Sequence, residues 1–164
     1  MQDLVIVGAS EFIDNMPSEY TLADARALNV DWLYNNTGLR IDSGAPARVQ
    51  VTVAESGKYR LYVHSYSMVN TSFTVTVAGI KDPVVFGGQD LSWQSGSEYQ
   101  LPAGQIELVV EGVELGAVFD VIVLAKDPNW IPEKLPMENL PEDVWLIREY
   151  AITRSHTVKF GDLL

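Results

Sequence analysis

The chain has 164 residues, with 11 Lys and Arg against 22 Asp and Glu for a formal charge of −11, and it has no cysteine. That length buries a core without staples, and a hydrophobic fraction of 47% is that of a folded chain, not a disordered one. The charge argues against a nucleic-acid partner and an anionic membrane surface, both of which need clustered Lys and Arg. Absent cysteines remove disulfides, thiolate zinc sites and Cys nucleophiles.

In chain order, Leu4–Val7 is an apolar run of strand size. Met1-Gln2-Asp3 has no basic region and Leu4–Val7 is too short for a hydrophobic signal core, so no signal peptide is read there. Thr21-Leu22-Ala23-Asp24 has the spacing of a capping box and predicts the start of a short helix. Trp32 and Tyr34 fall in a polar stretch ending Asn35-Asn36-Thr37-Gly38, which reads as a loop. Ala47–Val53 alternates apolar and polar residues, the period-2 mark of a half-buried strand. Lys58–Ser67 follows, with Leu61 and Val63 on one face and Arg60, Tyr62, His64 and Tyr66 on the other. Ser72–Val77 repeats the alternation, and Val84–Phe86, Ile106–Val110 and Ala117–Ala125 read as further strands. Trp93 lies in the glycine-rich stretch Gly87–Gln94, read as a loop.

Glu55-Ser56-Gly57, Ala78-Gly79 and Pro102-Ala103-Gly104 supply turns between these runs. Short strands at this spacing, with almost no helical pattern, predict an all-β fold, a two-sheet antiparallel sandwich. Beyond Asp127 the composition changes: Pro128, Pro132, Pro136 and Pro141 recur. The expected organisation is a sandwich over 1–128 and a Pro-rich extension over 129–164. A short helix is predicted from Pro141, with Val144, Ile147 and Ala151 as its apolar positions. No apolar run has the length of a membrane span; Val121–Ala125 is typical of the longest.

Catalytic signatures are missing from this sequence. His64 and His156 lie far apart without metal-ligand spacing, and His64 reads as a sheet-face residue beside Tyr62 and Tyr66. There is no nucleophile elbow, GxGxxG, P-loop or HExxH, so no enzyme is expected. The aromatics carry more information. Trp32, Tyr34, Tyr66 and Trp93 lie close in sequence to Asn35, Asn70, Gln89, Asp90 and Gln94. A pyranose needs such a combination, because its C–H faces stack on rings while its hydroxyls need donors and acceptors. Trp32, Tyr34, Asn35, Tyr66 and Trp93 are therefore the candidate ligand contacts. The other reading of Trp32 and Trp93, a large ring sealing one end of a sandwich, stays open.

The stretch Val51-Thr52-Val53-Ala54-Glu55-Ser56-Gly57-Lys58-Tyr59-Arg60-Leu61-Tyr62-Val63 resembles the hairpin of galactose-binding-like β-jelly-rolls. Phe73–Gly79, Trp93, Leu101-Pro102-Ala103-Gly104 before Ile106, and Phe119–Leu124 continue that resemblance in order, over roughly residues 4–128. As a whole the chain is similar to carbohydrate-binding modules of families 6 and 35. The resemblance implies a jelly roll and a non-catalytic module, accessory to a larger polysaccharide-acting protein and extracellular or periplasmic. Its implied partner is a neutral poly- or oligosaccharide, because no basic cluster lies beside Trp32 or Trp93. It also implies a structural calcium, held by a Glu-Ala-Glu strand and the closing aspartate. Here Gly8-Ala9-Ser10 stands in the strand's place, followed by Glu11, and only Asp120 matches. Two roles are open for Asp120: calcium ligand helped by backbone carbonyls, or buried acceptor of backbone N–H groups. The Asn that often precedes the closing Asp and contacts ligand is also missing, since the residues read Val118-Phe119-Asp120. The alternative function is a structural or interaction domain packed on a catalytic partner, favoured by the Pro-rich tail and Val144–Tyr150.

Overall fold

The computed structural model describes residues 4–30, 33–67, 70–87 and 90–135. Trp32 and the expected helix from Pro141 lie outside them. Two compact units divide the chain, 1–132 and 133–164. No helix among the described residues is long and apolar enough to cross a membrane.

The first unit is a two-sheet sandwich in which every described pairing is antiparallel. One sheet runs β2 (Thr21–Ala23), β3 (Gly38–Arg40), β11 (Val118–Ala125), β5 (Gly57–Tyr66), β9 (Ser92–Leu101), with β1 (Leu4–Gly8) also on β11. The other runs β4 (Ala47–Val53), β10 (Gly104–Glu114), β6 (Ser72–Val77), β7 (Ile80–Lys81), with β8 (Phe86–Gly87) on β6. The alternation read in Ala47–Val53 appears directly, with Ala47, Val49, Val51 and Val53 buried and Arg48, Gln50 and Thr52 exposed. Between the sheets an aromatic row fixes the core. Phe12, on the 3-10 turn Ala9–Asn15, meets Phe119 edge-on at 5.3 Å, and Phe73 lies 5.9 Å from both Phe119 and Phe86.

Strand β11 organises the first sheet, and all eight of its residues are buried. Along one edge it pairs first with β3, at Val118 and Phe119, and then with β1, from Val121 onward. Asp120 sits at that exchange. On the other edge a bulge against β5 falls between Phe119 and Val121. Phe119 and Ile122 both join the inter-sheet core, so two residues separate these inward positions instead of one.

Three segments differ from the sequence expectation. Of Val84–Phe86 only Phe86 lies in a strand, the two-residue β8. Thr21–Ala23 is a strand on β3 and not a helix start, because its backbone bonds go to a neighbouring chain segment. Asp24 does act as a cap, accepting the Ala27 N–H at 2.7 Å, but only over a turn that ends at Asn29 with φ 57°. Trp93 lies in a ten-residue strand and not a loop. Ser92–Leu101 holds few strong strand formers, and pairing along nearly the whole of β5 overrides that weak local preference.

Candidate functional site

The site is built around Asp120, which is fully buried. Its Oδ2 accepts the backbone N–H of Tyr34 at 2.7 Å, and its Oδ1 lies 2.7 Å from Nδ1 of His64. A carboxylate oxygen accepts, so Nδ1 of His64 donates. One side chain thus ties three distant segments: the Tyr34 turn, β5 and β11. His64 extends the tie to β9, because it lies opposite Trp93 and the two rings stand 4.8 Å apart.

The expected contacts fall on two flanks of this junction. Tyr34 and Asn35 lie on the 3-10 turn Tyr34–Asn36, where Asn35 and Asn36 adopt φ of 52° and 51°. Asparagine tolerates this left-handed backbone better than other residues with a Cβ. Asn36 braces the turn by accepting the Ala25 N–H at 3.0 Å, leaving Asn35 exposed at the tip. The Tyr34 ring lies against the end of β1, where a Cβ on Gly8 would stand 3.3 Å from Cε2. Burial, and then the charge of Glu11, raise the Tyr34 phenol above its ordinary pKa. On the other flank, Tyr66 ends β5 opposite Val118, and Trp93 sits near the start of β9. Gln94 holds the adjacent loop by accepting the Gly87 N–H at 2.8 Å.

Two neighbours of the site were not among the contacts expected from the sequence, which placed His64 only on a sheet face and left Trp130 unread. His64 is the hub of the junction, 56 residues from Asp120 along the chain. Trp130 is buried and meets Trp93 edge-on at 6.4 Å and Tyr62 at 5.1 Å. Its signal was a lone Trp five residues after the closing strand, in Asp127-Pro128-Asn129-Trp130.

The residues do not fit the structural calcium that the family resemblance implied. Both Asp120 oxygens already meet N–H groups, and the space a side chain at Gly8 would enter is closed by the Tyr34 ring. Glu11 turns its Oε2 to the Gly8 N–H at 3.0 Å. Among the described residues no three acids or histidines gather as a metal site, whereas calcium takes about six to eight oxygens. Asp120 instead has the second role, acceptor of a backbone N–H, with His64 as an added donor.

Comparison with known proteins gives no matching family model. Among curated proteins nothing matches. Solved structures do match. A GH26–CBM35 β-(1,4)-mannanase of Podospora anserina aligns with a TM-score of 0.63 and 18% identity, over 80% of this chain and 29% of the mannanase chain. This chain therefore spans less than a third of that enzyme's length. The CBM6cm-2 module of Cellvibrio mixtus lichenase 5A, solved with cellotriose, aligns at 0.51 and 16% identity over 75% of this chain and 97% of the module. The C-terminal CBM6 of the laminarinase LamC from Zobellia galactanivorans aligns at 0.50 and 13%, over 75% and 99%. The chain has the galactose-binding-like β-jelly-roll fold seen in CBM6 and CBM35 modules.

Proposed function

We propose that this chain is a non-catalytic carbohydrate-binding module, which stacks a neutral saccharide on aromatics at the end of the first sheet. Tyr66 and Trp93 form one flank of the site, and Tyr34 and Asn35 the other. The observation that carries the reading is the Asp120–His64 junction, which fixes the Tyr34 turn and the Trp93 strand to one rigid point. Preorganised rings lose little entropy when a sugar docks. The likeness to the module solved with cellotriose supports the ligand class. The place of the similar modules in a mannanase and a lichenase supports an accessory place for this one in a larger extracellular polysaccharide-acting protein.

A second reading has its own observation. Trp93 already contacts the rings of both His64 and Trp130. A ring so engaged serves internal packing, and the domain would then act as an interaction unit beside a catalytic partner. Isothermal titration with cello-, manno- and laminari-oligosaccharides separates the two. Binding that is lost in Tyr66→Ala, with an unchanged melt, supports the module. Tyr66 is the informative position because it is half-exposed and lies outside the His64–Trp93–Trp130 ring contacts. Absence of binding to every oligosaccharide, with a large loss of stability in Trp93→Ala, favours the interaction unit.

A further inference from the structure

On the same sheet, away from the Asp120 junction, a groove of about 470 Å³ is lined by Lys58, Arg60, Tyr62, Glu98, Lys126 and Asp127, with Ala125 and Pro128 completing it. Three cations face two acids there, in a chain where acids outnumber cations two to one. Lys58, Arg60 and Tyr62 alternate along one face of β5, each about 7 Å from the next. Arg60 is anchored: Nη1 donates to the Gly96 carbonyl at 2.9 Å and Nη2 stands 3.4 Å from Glu98. A guanidinium has further N–H donors beyond these two. Lys126 is held by Glu55 at 3.0 Å, its stem crossing Gly57, where a Cβ would lie 2.7 Å from Lys126 Cε. Lys58 is exposed and makes no ion pair among the described residues. Tyr62 supplies a ring, backed edge-on by Trp130.

We propose that this groove binds an acidic saccharide, a uronate-bearing glycan whose pyranose stacks on Tyr62 and whose carboxylate meets Arg60 and Lys58. A carboxylate matches the spare donors of an anchored guanidinium, and Lys58 adds an uncommitted positive charge. Glu98 and Asp127 in the lining disfavour a dense polyanion, whereas one charge per sugar is tolerated. The groove is separate from the aromatic flank at the junction, because Trp130 stands between Tyr62 and Trp93 and touches both. The two sites differ in chemistry: one is aromatic and neutral, the other cationic with a single ring.

The test is isothermal titration of the full chain with trigalacturonate and with its neutral counterpart galactotriose. Trigalacturonate is expected to bind, with affinity falling as salt rises. Lys58→Glu, at an exposed position, is expected to lower that affinity about tenfold or more with an unchanged melt. Arg26→Glu makes the same charge change on an exposed turn and is expected to have little effect. Unaltered trigalacturonate binding in Lys58→Glu, or equal loss in Arg26→Glu, overturns the proposal. So does no binding of trigalacturonate, or equally strong binding of a tri-glutamate peptide, which would make the groove an acidic-peptide cleft. Neutral oligosaccharides are titrated separately, so either site can fail without the other.

Discussion

Removing the Asp120 side chain tests whether one buried carboxylate positions the site. In Asp120→Ala, the Tyr34 N–H and Nδ1 of His64 both lose a partner at 2.7 Å, inside a region where Asp120 is fully buried and His64 is 6% exposed. Hydrogen bonds to charged groups contribute about 1.5–3 kcal/mol each, and stranding one member of a buried pair costs about 3–5 kcal/mol. The expected loss is therefore about 3–5 kcal/mol, a drop of roughly 10 °C or more in Tm for a domain of this size. Asp120→Asn separates shape from chemistry. Its amide oxygen can still accept the Tyr34 N–H, and its NH2 can donate to Nδ1 if His64 moves its proton to Nε2. That variant should lose about half as much stability or less. Urea unfolding measures both variants, and the Tyr34 amide proton, shifted downfield by its carboxylate acceptor, reports the contact directly. A loss under about 1 kcal/mol in Asp120→Ala, or a Tyr34 amide shift that does not respond, would refute the reasoning.

Three further outcomes follow from the geometry. EDTA and added calcium should both leave Tm unchanged, since the Asp120 oxygens meet N–H groups; a fall in Tm with EDTA would return a metal to the fold. Gly96→Ala should destabilise by about 1–3 kcal/mol, because its Cβ would stand 2.7 Å from Asp82 Oδ2 and 3.0 Å from Leu61; urea unfolding at wild-type stability would show that Asp82 yields freely. Tyr20 donates to the Ala45 carbonyl at 2.7 Å, and burial, with Glu111 adding to it, pushes its phenol from 10 up to about 12. Unfolded tyrosine loses its proton first, so this contribution is complete below pH 10 and disappears as pH rises towards 12. Tyr20→Phe should flatten part of that alkaline fall in unfolding free energy, and an unchanged slope would exclude Tyr20 as its source.

Much of the sandwich was legible because its strands carry their burial in their own alternation, as in Ala47–Val53 and Ser72–Val77. Strand β9 was not, because Ser92–Leu101 owes its conformation to β5 and to a buried carboxylate. Asp82 accepts the Ser97 N–H at 2.8 Å and the Tyr99 hydroxyl at 2.5 Å, and Gly96 is bare because that carboxylate occupies the space beside it. Burial, together with the Asp82 bond and charge, raises the Tyr99 phenol well above its ordinary pKa. The candidate site divides in the same way. Aromatic type marked Tyr34, Tyr66 and Trp93 from the sequence alone. Their assembly depends on a bulge at Asp120 and on a partner 56 residues away, neither of which leaves a local pattern. The missing carboxylates at Gly8–Ser10 were visible, but not that a tyrosine ring had taken the space.

The position of β11 also sets the order in which this chain can fold. Leu4 pairs with Ala125 and Arg40 with Val118, so β1 and β3 stay unpartnered on that side until β11 exists. Closing loops of such length precedes any gain from the contacts they bring, which slows folding. During synthesis the amino-terminal strands must leave the ribosome and wait with open edges until Ala125 has emerged. A chain stopped before Val118 is therefore expected to remain aggregation-prone instead of forming a smaller stable sandwich.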